Sequence, residues 1–85
     1  MNKIEELKIL PEARLFIRYV DGVEFTVDLN PLISRGGIFE RLKDPKYFVQ
    51  VQIGPRGRSL VWPDDLDLCA DALRLQWEDS ISVAS

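Results

Sequence analysis

The residues best suited by type to bind a cation are four aspartates in the second half of the sequence: Asp64, Asp65, Asp67 and Asp71. Carboxylate oxygens are the ligands that Ca²⁺ and Mg²⁺ prefer, so a hard-cation site is one interpretation of this cluster. The calcium loop of EF-hand proteins, however, requires a glycine and a bidentate glutamate at fixed places, and neither residue stands there. We therefore expect these aspartates to lie in solvent around the start of a helix, and we predict no bound metal ion or cofactor.

The sequence offers a thiol and several hydroxyl groups but no base that would activate them. Cys69 is the only cysteine, and there is no histidine, which is the commonest general base. A cysteine without a base is not activated as a nucleophile, and Ser34 and Ser59 have no histidine with which to form a triad. We therefore predict that the protein is not an enzyme and that Cys69 is a small core residue.

The segment from Gly54 to Arg58 combines two glycines with two arginines and could contact a phosphate group. It lacks the spacing of a phosphate-binding loop and precedes a predicted strand, so a hairpin turn with two solvated arginines is the better interpretation. Four aromatic residues that could stack on bases are Tyr47, Phe48, Trp62 and Trp77. In so small a domain we expect them in the core, because aromatic side chains supply much of its buried area.

The composition limits both the size of the protein and the nature of its partners. The chain has 85 residues, of which 46% are hydrophobic and 29% charged, and this is typical of one globular domain. We predict one domain over residues 1–79 and a tail over residues 80–85 that frays. The formal net charge of −3 argues against nucleic acid as a direct ligand and favours a basic protein partner.

The same sequence predicts a cytoplasmic protein. A lone cysteine forms no intrachain disulfide, which fits a reducing compartment. Glu5 and Glu6 stand where a signal peptide would carry an apolar stretch. No apolar run approaches the roughly 20 residues that a membrane span needs, so we expect no membrane contact.

Three β-strands are predicted for the first part of the chain, over residues 4–10, 14–20 and 23–29. The second places Leu15, Ile17 and Tyr19 on one face, and the third alternates apolar and polar residues, which is the pattern of a half-buried strand. Asp21 and Gly22 join these two strands, and we predict a type I′ hairpin turn there with positive φ at both residues.

Short helices and two further strands are predicted next. Asn30-Pro31 and Asp44-Pro45 each place a capping residue before a proline, which favours the start of a helix. Apolar residues alternate with glutamines over 49–53, which predicts a strand. After the turn, residues 58–62 are predicted to return as a strand that Pro63 ends.

The last predicted element is a helix over residues 68–78. Leu66, Cys69, Leu73 and Trp77 fall on one helical stripe, and Asp67 is placed to cap the helix. The predicted fold class is therefore α+β, with a small antiparallel β-sheet, short helical turns and a C-terminal helix packed on the sheet.

Several segments, taken in order, resemble a family of small and mostly bacterial proteins. They are Arg14-Leu15-Phe16-Ile17, Asp21-Gly22, Val27-Asp28-Leu29, Pro31-Leu32, Gly37-Ile38-Phe39, Asp44-Pro45, Leu60-Val61-Trp62-Pro63, Asp67-Leu68 and Ala72-Leu73. Together they resemble the domain of unknown function 2442 (DUF2442). The sequence departs from the family pattern at Asp64-Asp65, where a small or glycine-containing loop is usual, and in its continuation beyond Leu73.

The resemblance implies a small α+β domain without an established activity, and it supplies no catalytic residues. Some members of the family are found beside a second small gene, in arrangements similar to toxin–antitoxin pairs. Some longer relatives resemble this domain fused to a helix-turn-helix unit, which this sequence lacks.

We therefore expect a non-enzymatic protein-interaction module, an antitoxin-like partner of a small basic protein encoded nearby. One alternative is a nucleic-acid-associated transcriptional regulator or accessory subunit, and another is a small enzyme subunit completed by another chain. The predicted interaction surface consists of Val49, Val51, Ile53, Arg56 and Arg58, since no proline or charge blocks the edge of the strand over 49–53. A homodimer paired through this edge is the simplest assembly.

Overall fold

Alternating apolar residues and prolines divide the chain into short elements, which a computed structural model describes for the backbone of residues 2–84 and the side chains of residues 2–79. The elements are β1 (Ile4–Leu10), β2 (Arg14–Tyr19), β3 (Glu24–Asp28), α1 (Asn30–Ser34), α2 (Pro45–Phe48), β4 (Gln52–Ile53), β5 (Ser59–Trp62), β6 (Leu66–Cys69) and α3 (Ala70–Ala84). Two 3₁₀ turns, Gly37–Lys43 and Pro55–Gly57, join them. The predicted α+β class is confirmed.

The strands form two sheets rather than the one sheet that we predicted. Each sheet has three antiparallel strands, in the orders β1-β2-β3 and β4-β5-β6. β4 lies beside β1, and the turn after β4 approaches the backbone of β1 closely. A Cβ on Gly57 would stand 2.5 Å from the carbonyl oxygen of Ile4, so only glycine fits at this junction.

The inward face of β2 forms the centre of the core. Leu15, Ile17 and Tyr19 are fully buried, while Phe16 and Arg18 between them point to the other face. This is the alternation that the sequence predicted. Side chains from β5, β6 and α3 pack against it; they are Leu60, Trp62, Leu66, Ala70 and Leu73. The other buried members of the core are Ile4, Leu29, Leu42, Phe48 and Val51.

The β2–β3 hairpin is confirmed, but its predicted turn type is wrong. Gly22 has φ of +93°, as expected, whereas Asp21 is not among the residues with positive φ. The N–H of Gly22 donates to the carbonyl of Tyr19 over 3.0 Å, and the N–H of Tyr19 donates to the carbonyl of Val23 over 2.8 Å. Val20, Asp21 and Gly22 thus form a three-residue loop, in which only the last position requires a left-handed conformation.

The strand predicted over 49–53 is also wrong in most of its length. Asp44 caps α2 as expected, since its carboxylate accepts a bond of 3.0 Å from the N–H of Lys46. The helical turn then continues, because the N–H of Val49 donates to the carbonyl of Pro45 and the N–H of Val51 donates to the carbonyl of Phe48. Only Gln52 and Ile53 pair with β5.

The start of the last helix lies later than predicted. Residues 66–69 form β6 and pair with β5, so Asp67 is a strand residue and not a cap. The N–H of Ala70 still bonds to Arg58, and α3 begins there, with Asp71 in its first turn. Cys69 is therefore exposed at the end of a strand, which corrects the prediction of a core residue.

Two further boundaries concern α1 and the tail. The N-terminal cap of α1 is Leu29, so Asn30 is the first helical residue and not the predicted cap. The backbone of α3 continues to Ala84, and the fraying of residues 80–85 stays a prediction.

Candidate interaction surfaces

The five residues of the predicted interaction surface do not form one exposed strand edge. Val51 is only 6% exposed and belongs to the core, whereas Val49 is 52% exposed on the turn after α2. Ile53 is half-buried in β4, which lies beside β1. Arg56 and Arg58 are exposed on the turn before β5. Val49 is the one apolar residue of this set that the fold leaves open to a partner.

The predicted acidic cluster is distributed over a turn, a strand and a helix. Asp64 forms an ion pair with Arg41, with 2.9 Å between Oδ2 and Nη1. Asp65 and Asp67 are exposed. Within the described residues, no three acidic or cysteine side chains are arranged to hold a metal ion.

An open cleft, which we call the β1 groove, lies between the end of β1, α1 and α2. Its volume is about 970 Å³, and it is lined by Ile9, Leu10, Pro11, Glu12, Ala13, Asn30, Ile33, Ser34, Gly36, Glu40, Leu42, Lys43, Pro45, Phe48 and Val49. Ile9 is 43% exposed although it belongs to the same face of the sheet as buried Leu15, its partner on β2. The core face of the sheet is thus uncovered at this end.

A second cleft, the β3 groove, lies between β3, α1, the end of β6 and the first half of α3. It has a volume of about 310 Å³ and is lined by Phe25, Thr26, Val27, Asp28, Leu29, Pro31, Leu32, Arg35, Leu68, Cys69, Ala72, Leu73, Gln76 and Trp77. The rings of Phe25 and Trp77 stack across it, with centroids 4.8 Å apart and planes 7° apart. Trp77 is half-buried, so it packs at the margin of the core and not inside it, where we expected it.

Sequence reasoning placed Phe25 and Val27 on one face of a strand, and Leu73 and Trp77 on one face of a helix. We predicted that the C-terminal helix packs on the sheet, but those local patterns did not indicate which strand it would meet. Phe25 meets Trp77 because the β2–β3 hairpin and α3 are also joined by the hydrogen bonds of Tyr19 and Arg74.

Around Tyr19, the hairpin and α3 share a buried hydrogen bond and an ion pair. The Tyr19 hydroxyl donates to the carbonyl of Ala70 over 2.8 Å, and burial raises the pKa of Tyr19 to about 12. The Arg74 guanidinium lies 5.0 Å from the centre of the Tyr19 ring and donates to Asp21 over 3.0 Å. That bond, followed in strength by one from the N–H of Val23, holds the pKa of Asp21 below its usual range.

The outward face of the first sheet carries charged side chains that ion pairs and hydrogen bonds hold in place. The guanidinium of Arg18 lies 2.8 Å from Glu24 and 3.0 Å from Glu6, and the hydrogen bond to Glu24 is the main cause of a raised Arg18 pKa. Asp28 accepts bonds from both the backbone and the side chain of Asn30, which lower the pKa of Asp28. This face is polar, whereas the two grooves are lined by many apolar side chains.

The fold is thus that of a small α+β domain with two apolar grooves, and no helix among the described residues is both long and apolar enough to cross a membrane. The family model described as "Protein of unknown function (DUF2442)" matches residues 4–79, nearly the whole chain. The chain therefore belongs to the DUF2442 family. No curated protein and no solved structure matches it.

Proposed function

We propose that this protein is a non-enzymatic interaction module of the bacterial cytoplasm, which acts as an antitoxin-like partner of a small basic protein. The observation that carries the proposal is the β1 groove, where the apolar side chains of Ile9 and Val49 are exposed. Exposed apolar side chains grouped around a cleft mark an interaction site more often than a solvated surface.

Charge supports the basic nature of the partner. The formal net charge is −3, and opposite charge speeds the encounter of two proteins. The antitoxin-like role rests on the gene arrangements that the family resemblance implies. The cytoplasmic location rests on the lone cysteine, which suits a reducing compartment.

A second candidate function is regulation through nucleic acid, and one observation favours it. Arg56 and Arg58 are exposed on one turn, and within the described residues neither has an acidic partner. Arg56 also has φ of +61°, a conformation that is uncommon for a residue with a side chain and that recurs at functional sites. The net negative charge argues against this candidate.

Affinity capture from the native host, with and without nuclease, separates the two candidates. A small basic protein that is retained after nuclease treatment supports the interaction module. Its loss from the double variant Ile9→Lys, Val49→Lys would assign the contact to the β1 groove. Val20→Lys is the matched control, since Val20 is 56% exposed and lies outside both grooves.

Retention of nucleic acid alone, abolished by the double variant Arg56→Ala, Arg58→Ala, would replace the proposal with the second candidate. A thermal melt of each variant establishes that it is folded before the captured material is compared.

A further inference from the structure

Among the sheet edges of the described residues, the free edge of β3 is the least protected against strand addition. Proteins block such edges with bulges, prolines, lysines or very short strands. β1 has an irregular register between Ile4 and Glu6 and lies beside β4, which itself has only two residues. β6 has four residues and leads directly into α3. β3 instead pairs with β2 in an unbroken register from Glu24 to Asp28, without proline or lysine. Its two charged residues, Glu24 and Asp28, are both acidic, so they oppose an acidic strand and admit a basic one.

The hydrogen bonds of the hairpin show which backbone groups of β3 point outward. The N–H of Tyr19 bonds to Val23 over 2.8 Å, and the N–H of Leu29 bonds to Ala13 over 3.0 Å. Hydrogen-bonded pairs in an antiparallel ladder recur at every second residue, so Phe25 and Val27 direct their backbone groups toward β2. Glu24 and Thr26 therefore direct their N–H and C=O groups away from the sheet.

The two faces of this edge differ in chemistry. The side chains of Phe25 and Val27 border the β3 groove, whose opposite wall includes Leu73 and Trp77. Glu24 and Asp28 are exposed on the other face. A strand added to β3 would place alternate side chains beside the groove and the intervening ones beside two carboxylates.

The carboxylates favour one kind of added strand. Both charged residues of β3 are acidic, while the arginines nearest to them, Arg14 and Arg18, lie on the inner strand β2. Lysine or arginine at the outward positions of an added strand would complement the edge. A second copy of β3 paired around Thr26 would instead place Glu24 opposite Asp28, and like charges in direct opposition destabilise such pairs.

We propose that β3 is a docking edge for an extended segment of a basic partner protein, in which apolar residues alternate with lysine or arginine. This inference rests on the proposed function and adds, to the contact proposed at the β1 groove, a second surface for the same partner together with its binding mode. Backbone hydrogen bonds from Glu24 and Thr26 provide affinity, while the groove and the carboxylates select the side chains.

Amide hydrogen exchange measured by NMR tests this inference with a defined probe. The probe is a capped octapeptide of alternating lysine and valine, and its glutamate–valine counterpart is the control. We expect the amides of Glu24 and Thr26 to exchange about tenfold more slowly with the lysine peptide only. The inference would be overturned if the lysine peptide protected amides only at another strand edge, or protected no amides at millimolar concentration. So would a stable dimer, seen by light scattering, in which these two amides are already protected.

Two variants locate the contact. Thr26→Pro removes an outward N–H without breaking the ladder to β2, and we expect binding of the lysine peptide to weaken about tenfold or more. Thr26→Ala keeps the N–H and should bind like the wild type. If Thr26→Pro does not fold, Glu24→Lys provides the test, because it leaves the backbone intact and should shift preference toward the glutamate–valine peptide. Unchanged binding by the folded variant would overturn the inference.

The native partner distinguishes this inference from the proposed function. A basic protein retained equally by wild type and by folded Thr26→Pro overturns docking at β3 but leaves the interaction module in place. A wild-type protein that retains no protein partner overturns both.

Discussion

The hydroxyl of Tyr19 donates a hydrogen bond to the main-chain carbonyl of Ala70 over 2.8 Å, and both residues are fully buried. This bond joins the β2–β3 hairpin to Ala70, the first residue of α3. It explains how two segments that are distant in sequence are held in the relative position that forms the β3 groove.

Tyr19→Phe should lower the free energy of unfolding by about 1–2 kcal/mol, because it removes a buried hydrogen bond and leaves a carbonyl with one partner fewer. Tyr47→Phe is the matched control, since the Tyr47 hydroxyl donates to the carbonyl of Pro63 at an exposed position. Its cost should stay within about 0.5 kcal/mol. Urea unfolding of the two variants measures the difference, and equal costs would show that the buried bond has no special weight.

Two glycines with positive φ should respond differently to alanine. Gly22 has open space where a Cβ would stand, so Gly22→Ala should cost about 1 kcal/mol through its backbone conformation alone. Gly57 has φ of +70° and would also place a Cβ 2.5 Å from the Ile4 carbonyl oxygen. Gly57→Ala should therefore cost about 2 kcal/mol or more. Thermal melts rank the two variants, and the reverse order would contradict the close approach of the two sheets.

Asp65→Gly should stabilise the protein. Asp65 is exposed and has φ of +63°, a left-handed conformation that costs a residue with a Cβ about 1 kcal/mol. Part of this gain is lost to the greater freedom of glycine in the unfolded chain, so we expect a net gain of about 0.5 kcal/mol. Asp67→Gly, within β6, should destabilise instead. A lower melting temperature for Asp65→Gly than for the wild type would refute this reasoning.

Acid should weaken the ion pair between Asp21 of the β2–β3 hairpin and Arg74 of α3. The pKa of Asp21 is lowered in the folded protein, so the stability that it contributes is present above the unfolded pKa of about 3.9. This contribution is lost as the pH falls through the lower, folded pKa. Asp21→Asn should therefore flatten the acid limb of a stability–pH profile. An acid limb that is identical in wild type and Asp21→Asn would show that Arg74 does not couple to folding through Asp21.

Trp77→Ala should cost about 2 kcal/mol, which is less than for a fully buried tryptophan. Trp77 is half-buried, and it loses its stacking on Phe25 together with part of its apolar contact area. Trp77→Phe retains an aromatic ring over Phe25 and should recover about half of the loss. Urea denaturation measures both variants. A negligible cost for Trp77→Ala would indicate that the stack contributes nothing to the free protein.

Local signals in the sequence were sufficient for the elements that they describe. Alternation in β2 and β3, the cap at Asp44 and the positive φ of Gly22 are all properties of a few neighbouring residues, and each was confirmed. The α+β class followed from the order of these elements. The family resemblance followed from the same short segments.

Where apolar residues fit the spacing of both a strand and a helix, the local sequence could not decide the secondary structure. Leu66 and Leu68 alternate like a strand, whereas Leu66, Cys69 and Leu73 also fit a helix. Pairing with β5 decides between them, since it provides backbone partners from Ser59 to Trp62. Val49 and Val51 also alternate, but the helical turn that Asp44 begins extends through them.

The sequence by itself thus determined the secondary structure wherever capping, turn chemistry or alternation acts between near neighbours. Only the tertiary structure decided the division into two sheets, the exposure of Cys69 and the position of the two grooves. The physical reason is that these features depend on distant segments. Phe25 meets Trp77, and Tyr19 meets Ala70, because one compact arrangement buries the shared core and satisfies its polar groups at the same time.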